Sequence, residues 1–431
     1  MTRTRTNHLV RGAAFCLVLA AAVSCANEGP NTSSEDPDVA AAEAGVVVQT
    51  PQAPQAGWNI LQPGYTTSSL ADGLSLEWDY YMIHDRAGRF TGIIGYVLAD
   101  PRRHLGSGTD ANPRLDLIPS GGNAAVAGQW ADGSFVSDYV NFGVDATHAS
   151  ATRREMDAVE PGGDRYASLV PLADGTMQLE GRLDHVAWSL NVRKDWTDRP
   201  DFPAQLGTDM GFDLGEFWTV NMYQPRTLVT GTITNLVTGE VLEVDGHGYR
   251  ENSYGRWAFV ADGWDFAILS DAASGVQWAW QTYHHSDDMD YLDVSFRDGG
   301  QLKSLHLQAD RRELGWVHDH WKWHSQARQC VPTDTRVVAQ NADYRIEATI
   351  SIGDRQVPLL SDATIVTSAY VIMEHFPIVS GRIVRRRDGS VVTTFRGQAG
   401  GEWSYARSAL PWSSDWACTV WGKPKFQRPL P

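Results

Sequence analysis

The chain has 431 residues and carries 36 Lys and Arg against 52 Asp and Glu, a formal net charge of −16 at pH 7. A surface this acidic repels nucleic acid and anionic lipid headgroups, which excludes nucleic acid as an expected partner. The length is sufficient for two domains of ordinary size.

Residues 1–24 are predicted to be a lipoprotein signal peptide. Arg3, Arg5 and Arg11 form a basic head, and the apolar run that follows, AAFCLVLAAAV, is too short to span a bilayer. The run ends in AVSC, which resembles the lipobox of bacterial lipoproteins, so Cys25 is predicted to carry a lipid. The alternative is an ordinary cleaved signal peptide with an incidental cysteine.

The lipid on Cys25 would anchor the exported protein to a membrane of the bacterial cell envelope, at the outer membrane or its periplasmic face. Residues 25–57 are acidic, contain proline and lack aromatic side chains. Such a composition cannot bury enough apolar surface to fold, which predicts a flexible tether.

Two cysteines remain in the region that is predicted to fold, Cys330 and Cys418. In an exported chain they are compatible with one disulfide. A cysteine metal site or a thiol nucleophile is therefore not expected.

The folded region is rich in short alternating runs such as RFTGIIGYVLA, VQWAWQTYHH and YLDVSFRDGG. Turn signals such as DRAGR and RDGGQ separate them, which predicts an all-β chain of antiparallel hairpins. Barrel closure would hide the strand edges, and 17 tryptophans suit a barrel with a plugged or lined interior. A β-sandwich with an aromatic core is the alternative.

No metal site and no cofactor are expected. In GWVHDHWKWHS, strand alternation puts His318, His320 and Lys322 on one face, where the lysine would place a cation beside any metal. In TYHHSDDMDYLD, His284 and His285 are adjacent and point to opposite faces. The sequence also lacks GxSxG, a Walker loop and GxGxxG in a β-α context.

Three stretches in order carry a family resemblance. They are LEWDYYMIHDRAGRFTGIIGYVLADPR, GTITNLVTGEVLEVDGHGYRENSYG followed by DGWDFAIL, and RGQAGGEWSYAR. They resemble three motifs of the hydroxyneurosporene synthase (carotenoid 1,2-hydratase) and AttH group. In order, these are the EWWYF strand pair, the G-x-G-Y/W-x-D/E-H-x-W-G hairpin followed by GWDW, and the last strand. That last strand carries an acid and an aromatic residue.

The resemblance implies two lipocalin-like (calycin-type) antiparallel β-barrels in tandem, at residues 58–258 and 259–431, with a hydrophobic pocket where they meet. Relatives of the group include fungal Diels-Alderases and, more distantly, tocopherol cyclase. Known members bind or act on isoprenoid and polyketide-like molecules by hydration, cyclisation or a pericyclic step. Acid chemistry of this kind needs a buried proton donor and aromatic faces beside a developing cation.

The hairpin motif departs from the family pattern, because Asn252 stands in place of the histidine and Tyr254 in place of the tryptophan. The acid is kept as Glu251. The resemblance therefore implies a catalytic Glu251 with hydrogen bonds from Asn252 and Tyr254, while the missing imidazole argues against alkene hydration. The alternative for Glu251 is a salt bridge with Arg250 or Arg256 at the barrel rim.

Seven residues are predicted to line the pocket for the ligand: Glu77, Tyr80, His247, Trp257, Trp264, Trp278 and Trp280. For Tyr254 and Trp257, core packing is the alternative to a role in the site.

The expected function is that of an envelope-anchored lipoprotein that binds an apolar small molecule, an isoprenoid, polyene or lipid, between two barrels. The first alternative is a cofactor-independent lyase or isomerase that uses acid catalysis on an isoprenoid or polyketide. The second is an accessory envelope protein that acts through protein contacts.

Overall fold

The computed structural model describes most of the chain beyond residue 56. The described residues are 57–61, 75–99, 121–143, 145–150, 152–197, 199, 201–202, 205–207, 217–256, 263–283, 290–359, 370–406, 418 and 427–431. The signal peptide, Cys25, the tether up to residue 56, and Trp257, His284 and His285 lie outside these ranges. Among the described residues, no helix has the length and hydropathy needed to cross a membrane.

A short 3₁₀ helix precedes the first group of strands. The elements are η1 (Asn59–Leu61), β1 (Ser75–Asp85), β2 (Phe90–Ala99), β3 (Gly121–Trp130), β4 (Phe135–Gly143), β5 (Thr147–Ala149), β6 (Met156–Val159), β7 (Tyr166–Pro171), β8 (Met177–Arg182), β9 (Val186–Lys194), β10 (Gln205–Gly207), β11 (Phe217–Asn235) and β12 (Val241–Arg256).

The second group of strands follows in the same hairpin style. Its members are β13 (Trp264–Asp271), β14 (Val276–Tyr283), β15 (Tyr291–Asp298), β16 (Gln301–Gln308), β17 (Leu314–His324), β18 (Gln329–Gln340), β19 (Tyr344–Ser351), β20 (Gln356–Leu359), β21 (Tyr370–His375), β22 (Ile378–Arg385), β23 (Val391–Gln398) and β24 (Gly400–Ala406).

The first group forms one sheet in the order β4-β3-β2-β1-β12-β11-β9-β8-β7-β6-β5, with β10 beside β11. Its two ends approach each other, since the Gly122 amide on β3 donates to Thr147 Oγ1 on β5 at 2.8 Å. Burial alternates along β9, which turns Trp188 and Leu190 inward. The sheet is therefore a nearly closed barrel, which we call the first barrel.

The second group forms a seven-stranded sheet, β16-β15-β14-β13-β24-β21-β20, and a five-stranded sheet, β17-β18-β19-β22-β23. The two sheets enclose a core that contains Trp278, Trp280 and Ile346. We call β13–β24 the second barrel. The predicted all-β, antiparallel fold is confirmed, while the domain boundary at residue 258 stays a prediction.

The two barrels meet on a buried interface within one compact unit, Val48–Pro431. The outer face of β1 and β12 packs against the outer face of the seven-stranded sheet. Tyr80, Met82 and Tyr249 come from the first barrel, and Phe266 comes from the second.

The η1 segment plugs the first barrel. Trp58 and Ile60 are buried in its core. Asn59 Nδ2 donates to Glu77 Oε1 at 2.8 Å, and the Ile60 amide donates to Glu77 Oε2 at 3.0 Å. The interior of this barrel therefore contains apolar side chains packed around the buried carboxylate of Glu77.

Cys330 and Cys418 are joined by a disulfide that spans 88 positions in sequence. A crosslink across a loop of this length removes entropy from the unfolded chain. We expect the variant Cys330→Ser/Cys418→Ser to lose about 2–5 kcal/mol of the free energy of unfolding, measured by urea denaturation. Reduced wild type should match the variant. An unchanged free energy of unfolding in both would contradict the prediction.

Candidate functional site

Strand alternation divides the polar residues of β1 and β12 between two faces. Tyr80 and Glu251 are direct cross-strand partners, as are Glu77 and Tyr254. Tyr80 belongs to the interface between the barrels, whereas Tyr254 belongs to the core of the first barrel. Glu251 therefore faces the second barrel, and Glu77 faces the interior of the first.

Three buried glutamates converge at the interface. Glu251 comes from β12 of the first barrel, and Glu374 and Glu402 come from β21 and β24 of the second; their exposed fractions are 8%, 1% and 6%. Glu374 and Glu402 are cross-strand partners and share a hydrogen bond. Since two carboxylates in contact repel each other, this pair must hold at least one proton.

Each carboxyl of that pair has a further donor. Tyr80 Oη donates to Glu374 Oε2 at 2.7 Å, and Trp264 Nε1 donates to Glu402 Oε2 at 2.7 Å. Tyr80 reaches Glu374 from the first barrel. The hydrogen bond from Tyr80 therefore ties the two barrels together at the site.

Glu251 accepts two hydrogen bonds from its own strand. Tyr249 Oη donates to Oε2 at 3.0 Å and Ser253 Oγ donates to Oε1 at 2.8 Å. Both donors stand two residues from Glu251, on the same face of β12. The local sequence of β12 thus supplies both hydrogen-bond donors to this carboxyl.

Burial raises the pKa of all three carboxyls, because the charged form loses its hydration. The pKa of Glu251 rises to about 7, against the opposing hydrogen bonds of Ser253 and Tyr249. The pKa of Glu402 rises to about 8, by burial first and by repulsion from Glu251 second. The pKa of Glu374 is also raised, by burial and then by repulsion from Glu402. These shifts favour the protonated form of each carboxyl near neutral pH.

A cavity of about 20 Å³ lies beside these carboxyls. Its lining is mixed aromatic and polar: Trp78, Tyr80, Glu251, Ser253, Trp264, Phe266, Gln281, Tyr283 and Glu402. This volume suits about one water molecule. A hydrocarbon substrate therefore needs the walls to separate.

Of the residues predicted for the site, Glu251, Tyr80 and Trp264 are brought together at this cavity. Asn252 is not, because consecutive residues of a strand point to opposite faces. Asn252 Nδ2 donates to Glu77 Oε1 and to the Trp78 carbonyl, each at 2.9 Å. This corrects the expectation that Asn252 hydrogen bonds to Glu251.

Tyr254, like Asn252, faces the first barrel and packs in its core, which corrects the expected hydrogen bond to Glu251. Glu77 lies in the same interior rather than in the pocket, where Arg154 pairs with it. The alternative prediction of a salt bridge between Glu251 and Arg250 is also wrong. The Arg250 guanidinium binds Asp79 instead, through two hydrogen bonds of 2.8 Å.

Three further predicted pocket residues lie elsewhere. Trp278 and Trp280 are fully buried in the core of the second barrel, although they share β14 with Gln281 of the cavity lining. His247 pairs with His84 across β1 and β12, with ring centroids 5.4 Å apart. These placements correct the expectation that all three line the pocket.

Sequence reasoning did not select Glu374, Tyr249 or Ser253. Glu402 lies in the last-strand stretch that resembles the family, but it was not among the predicted site residues. A glutamate inside the apolar run YVIMEHF was the available signal for Glu374, since a buried strand rarely carries an unpaired carboxylate.

The histidines of β17 do not form a common face. Register shifts between His318 and His320, and again after His320, break the alternation. His318 is buried beside Thr335, whereas His320 is mostly exposed. Among the described residues, no three His, Cys, Asp or Glu are arranged to hold a metal ion.

The raised carboxyl pKa values predict a stability that falls with pH. A carboxyl whose native pKa lies above its unfolded value binds more protons in the native state, so the free energy of unfolding falls as pH rises between the two values. For Glu251 this fall continues up to about pH 7, its native pKa. For Glu402 and for Asp290, whose pKa burial also raises, it continues up to about pH 8. His84 and His247, with pKa values lowered to about 3 and about 4 by burial, act oppositely, but only below their ordinary value of 6.5.

Between pH 6.5 and 8 we therefore expect the free energy of unfolding to fall by roughly 1.4 kcal/mol per pH unit for each proton released. Urea denaturation at pH 6.5, 7.2 and 8 measures the slope. Glu251→Gln should flatten it. A flat profile across this window would show that these carboxyls are already ionised at pH 6.5.

Comparison with known proteins gives the fold. No family model and no curated protein sequence matches the chain. The structure of CghA matches with a TM-score of 0.52 at 14% identity, covering 83% of this chain and 98% of that one. Kievitone hydratase from Nectria haematococca matches at 0.48 and 11% identity, covering 82% and 96%.

A Nitrosomonas europaea protein described as an AttH candidate matches with a TM-score of 0.49 at 16% identity, covering 82% of this chain and 98% of that one. The likeness to CghA shows a common fold. The fold that the sequence resemblance implied is therefore confirmed.

Proposed function

We propose that this protein is a cofactor-independent enzyme that moves protons to and from carbon atoms of an apolar, unsaturated substrate, an isoprenoid or a polyketide. The observation that carries the proposal is that Glu251 and Glu402 line one aromatic cavity while Glu374 is hydrogen-bonded to Glu402. Such a set supplies both a proton donor and a proton acceptor at neutral pH.

Glu402 is the proposed acid. It lines the cavity, and its pKa of about 8 keeps it protonated at pH 7. Glu374 does not line the cavity, but it is hydrogen-bonded to Glu402 and can return a proton to it. Proton transfer from Glu402 to an alkene carbon leaves a carboxylate on Glu402 and a carbocation on the substrate.

Glu251 is the proposed base, since a pKa of about 7 leaves it ionised in about half of the molecules at pH 7. Loss of a substrate proton to Glu251 completes an isomerisation or a cyclisation. Attack by a water molecule, with its proton passing to Glu251, completes a hydration. Trp78 and Phe266 line the cavity, where an aromatic ring stabilises a nearby cation in either case.

A second candidate function is binding without chemistry. The aromatic part of the cavity lining supports it, because Trp78, Trp264, Phe266 and Tyr283 suit an apolar ligand. In this proposal the lipid at Cys25 holds the protein at the envelope membrane, and the carboxyls contribute only hydrogen bonds to the ligand.

Deuterium transfer separates the two functions. We expect wild-type protein in D₂O to place deuterium on carbon in at least one of a panel of alkenes such as geranylgeraniol, squalene and lycopene, detected by mass spectrometry. Glu251→Gln should abolish this incorporation while the ligand still raises the unfolding temperature. Glu243→Gln, on an exposed part of the same strand, is the matched control.

The protein could bind a panel alkene, or an apolar compound extracted with it, while neither wild type nor any variant transfers deuterium. That result would replace the enzyme proposal with the binding proposal. Equal incorporation by wild type and Glu251→Gln would make Glu251 a structural residue.

A further inference from the structure

A second polar surface lies on the outer face of the five-stranded sheet, away from the glutamate cavity. Its residues form a row of direct cross-strand partners: Arg336 on β18 faces Thr349 on β19, Thr349 faces Ser380 on β22, and Ser380 faces Arg396 on β23. A guanidinium thus ends the row on each side, with two hydroxyls between. Three strand spacings separate the ends, roughly 14 Å at the backbone.

The row forms the floor of an open groove of about 1080 Å³, which we call the arginine groove. The turn around Ser274 and Leu430 near the C-terminus contribute to its lining. The groove is therefore bordered by residues from outside the five-stranded sheet, and an elongated molecule can lie along it.

The charge of the arginine groove is opposite to that of the whole chain. Four arginines and two acids line it, and Arg336 is also paired with Asp319 through hydrogen bonds of 2.6 and 2.8 Å. Counting Asp319, four basic side chains against three acids leave one net positive charge, on a chain whose net charge is −16. Glu347 binds Arg345 Nε at 2.8 Å and Arg382 Nε at 2.7 Å, and so holds two guanidinium groups in place. Arg396 has no ion pair with any residue in the described part of the chain. A local excess of positive charge in a groove attracts anions.

We propose that the arginine groove binds an acidic oligosaccharide, a short sugar chain that carries carboxylates. Guanidinium groups bind carboxylates with directional, charge-assisted hydrogen bonds. Hydroxyl side chains both donate and accept, as sugar hydroxyls do, and five of them line the groove: Ser274, Thr349, Ser380, Thr393 and Thr394. The row has a guanidinium at each end and two hydroxyls between them, which matches a ligand with both kinds of group.

Other anionic partners fit less well. A bilayer is a flat surface, whereas the row lies on the floor of a groove that Ser274 and Leu430 also line. An acidic peptide offers carboxylates but few hydroxyls. Nucleic acid is repelled by the acidic remainder of the protein.

Calorimetric titration with trigalacturonate at low salt tests the proposal. We expect binding that weakens as salt is added, since ion pairing contributes to it. Arg396→Gln should weaken binding about tenfold by loss of one charge-assisted contact. Because Arg396 makes no ion pair with the described residues, the fold should be unaffected. Arg182→Gln, an exposed arginine on β8, is the matched control and should bind as wild type does.

Neutral galactotriose should not bind. Three results would overturn the proposal in favour of another ligand class. They are binding of galactotriose as tight as that of trigalacturonate, tighter binding of tetraglutamate than of trigalacturonate, and binding of phosphatidylglycerol vesicles without binding of trigalacturonate. Binding of sulfate alone, or no binding at all, would overturn it outright. Glu251→Gln should leave the titration unchanged, so this test is independent of the proposed enzyme function.

Discussion

Replacing Glu402 by glutamine is expected to lower the rate of proton transfer to substrate carbon by about 10²–10⁴-fold, the usual contribution of a general acid. The glutamine keeps the size of the side chain. Its carbonyl can still accept from Trp264 Nε1, which donates to Glu402 at 2.7 Å, and its amide can donate to Glu374. The variant therefore loses the transferable proton and keeps the hydrogen bonds.

Single-turnover incorporation of deuterium from D₂O measures this rate. Glu243→Gln is the control for loss of a carboxyl on an exposed strand, and thermal unfolding checks that the fold is kept. A rate within about twofold of wild type would exclude Glu402 as the acid and would leave Glu374 or Glu251 to supply the proton. In wild type, the rate should be greatest near pH 7–8, where Glu402 is still protonated and Glu251 is already ionised.

The fold was predictable because its determinants are local. Alternation along segments such as β9, and turn residues between strands, specify antiparallel hairpins residue by residue. Closure of the first barrel is different. It depends on contacts such as Gly122 with Thr147, between strands that are not hairpin partners. No local pattern specifies that pairing, and the resemblance to a known group supplied it.

The site was predictable only in part, because its three carboxyls come from distant segments. Glu251 stood out in a hairpin crowded with polar groups. Glu374 and Glu402 lie more than a hundred residues later, and nothing in the sequence shows which face of the second barrel meets the first. Their convergence is a result of tertiary packing.

Two errors had simpler causes. Asn252 and Tyr254 were grouped with Glu251 because the motif is contiguous, although the two-residue period of a strand puts neighbours on opposite faces. His318 and His320 were placed on one face by the same period, which the irregular register of β17 interrupts. Strand period is therefore a reliable guide on regular strands and fails at bulges, which the sequence does not mark.

Replacing Arg154 by methionine is expected to reduce the free energy of unfolding by about 3–5 kcal/mol, because it leaves buried carboxylates without their cation. Arg154 pairs with Glu77 and lies 3.6 Å from Asp79, and both carboxylates are fully buried in the first barrel. Arg250 remains on Asp79, so the uncompensated charge falls on Glu77. Asn59, Asn252 and the Ile60 amide still donate hydrogen bonds to Glu77, but none of them carries a charge.

The neighbouring residue provides the matched control. The Arg153 side chain is 56% exposed and pairs with Glu155, whereas that of Arg154 is 5% exposed. Arg153→Met should therefore change the free energy of unfolding by less than about 1 kcal/mol. The double variant Arg154→Met/Glu77→Gln should recover part of the loss, because it removes the stranded charge while keeping a hydrogen-bonding side chain. The opposite result would be equal losses in the free energy of unfolding for Arg154→Met and Arg153→Met, measured by urea denaturation. The buried pair would then add nothing beyond an ordinary surface ion pair, and the first barrel would owe its stability to its apolar core alone.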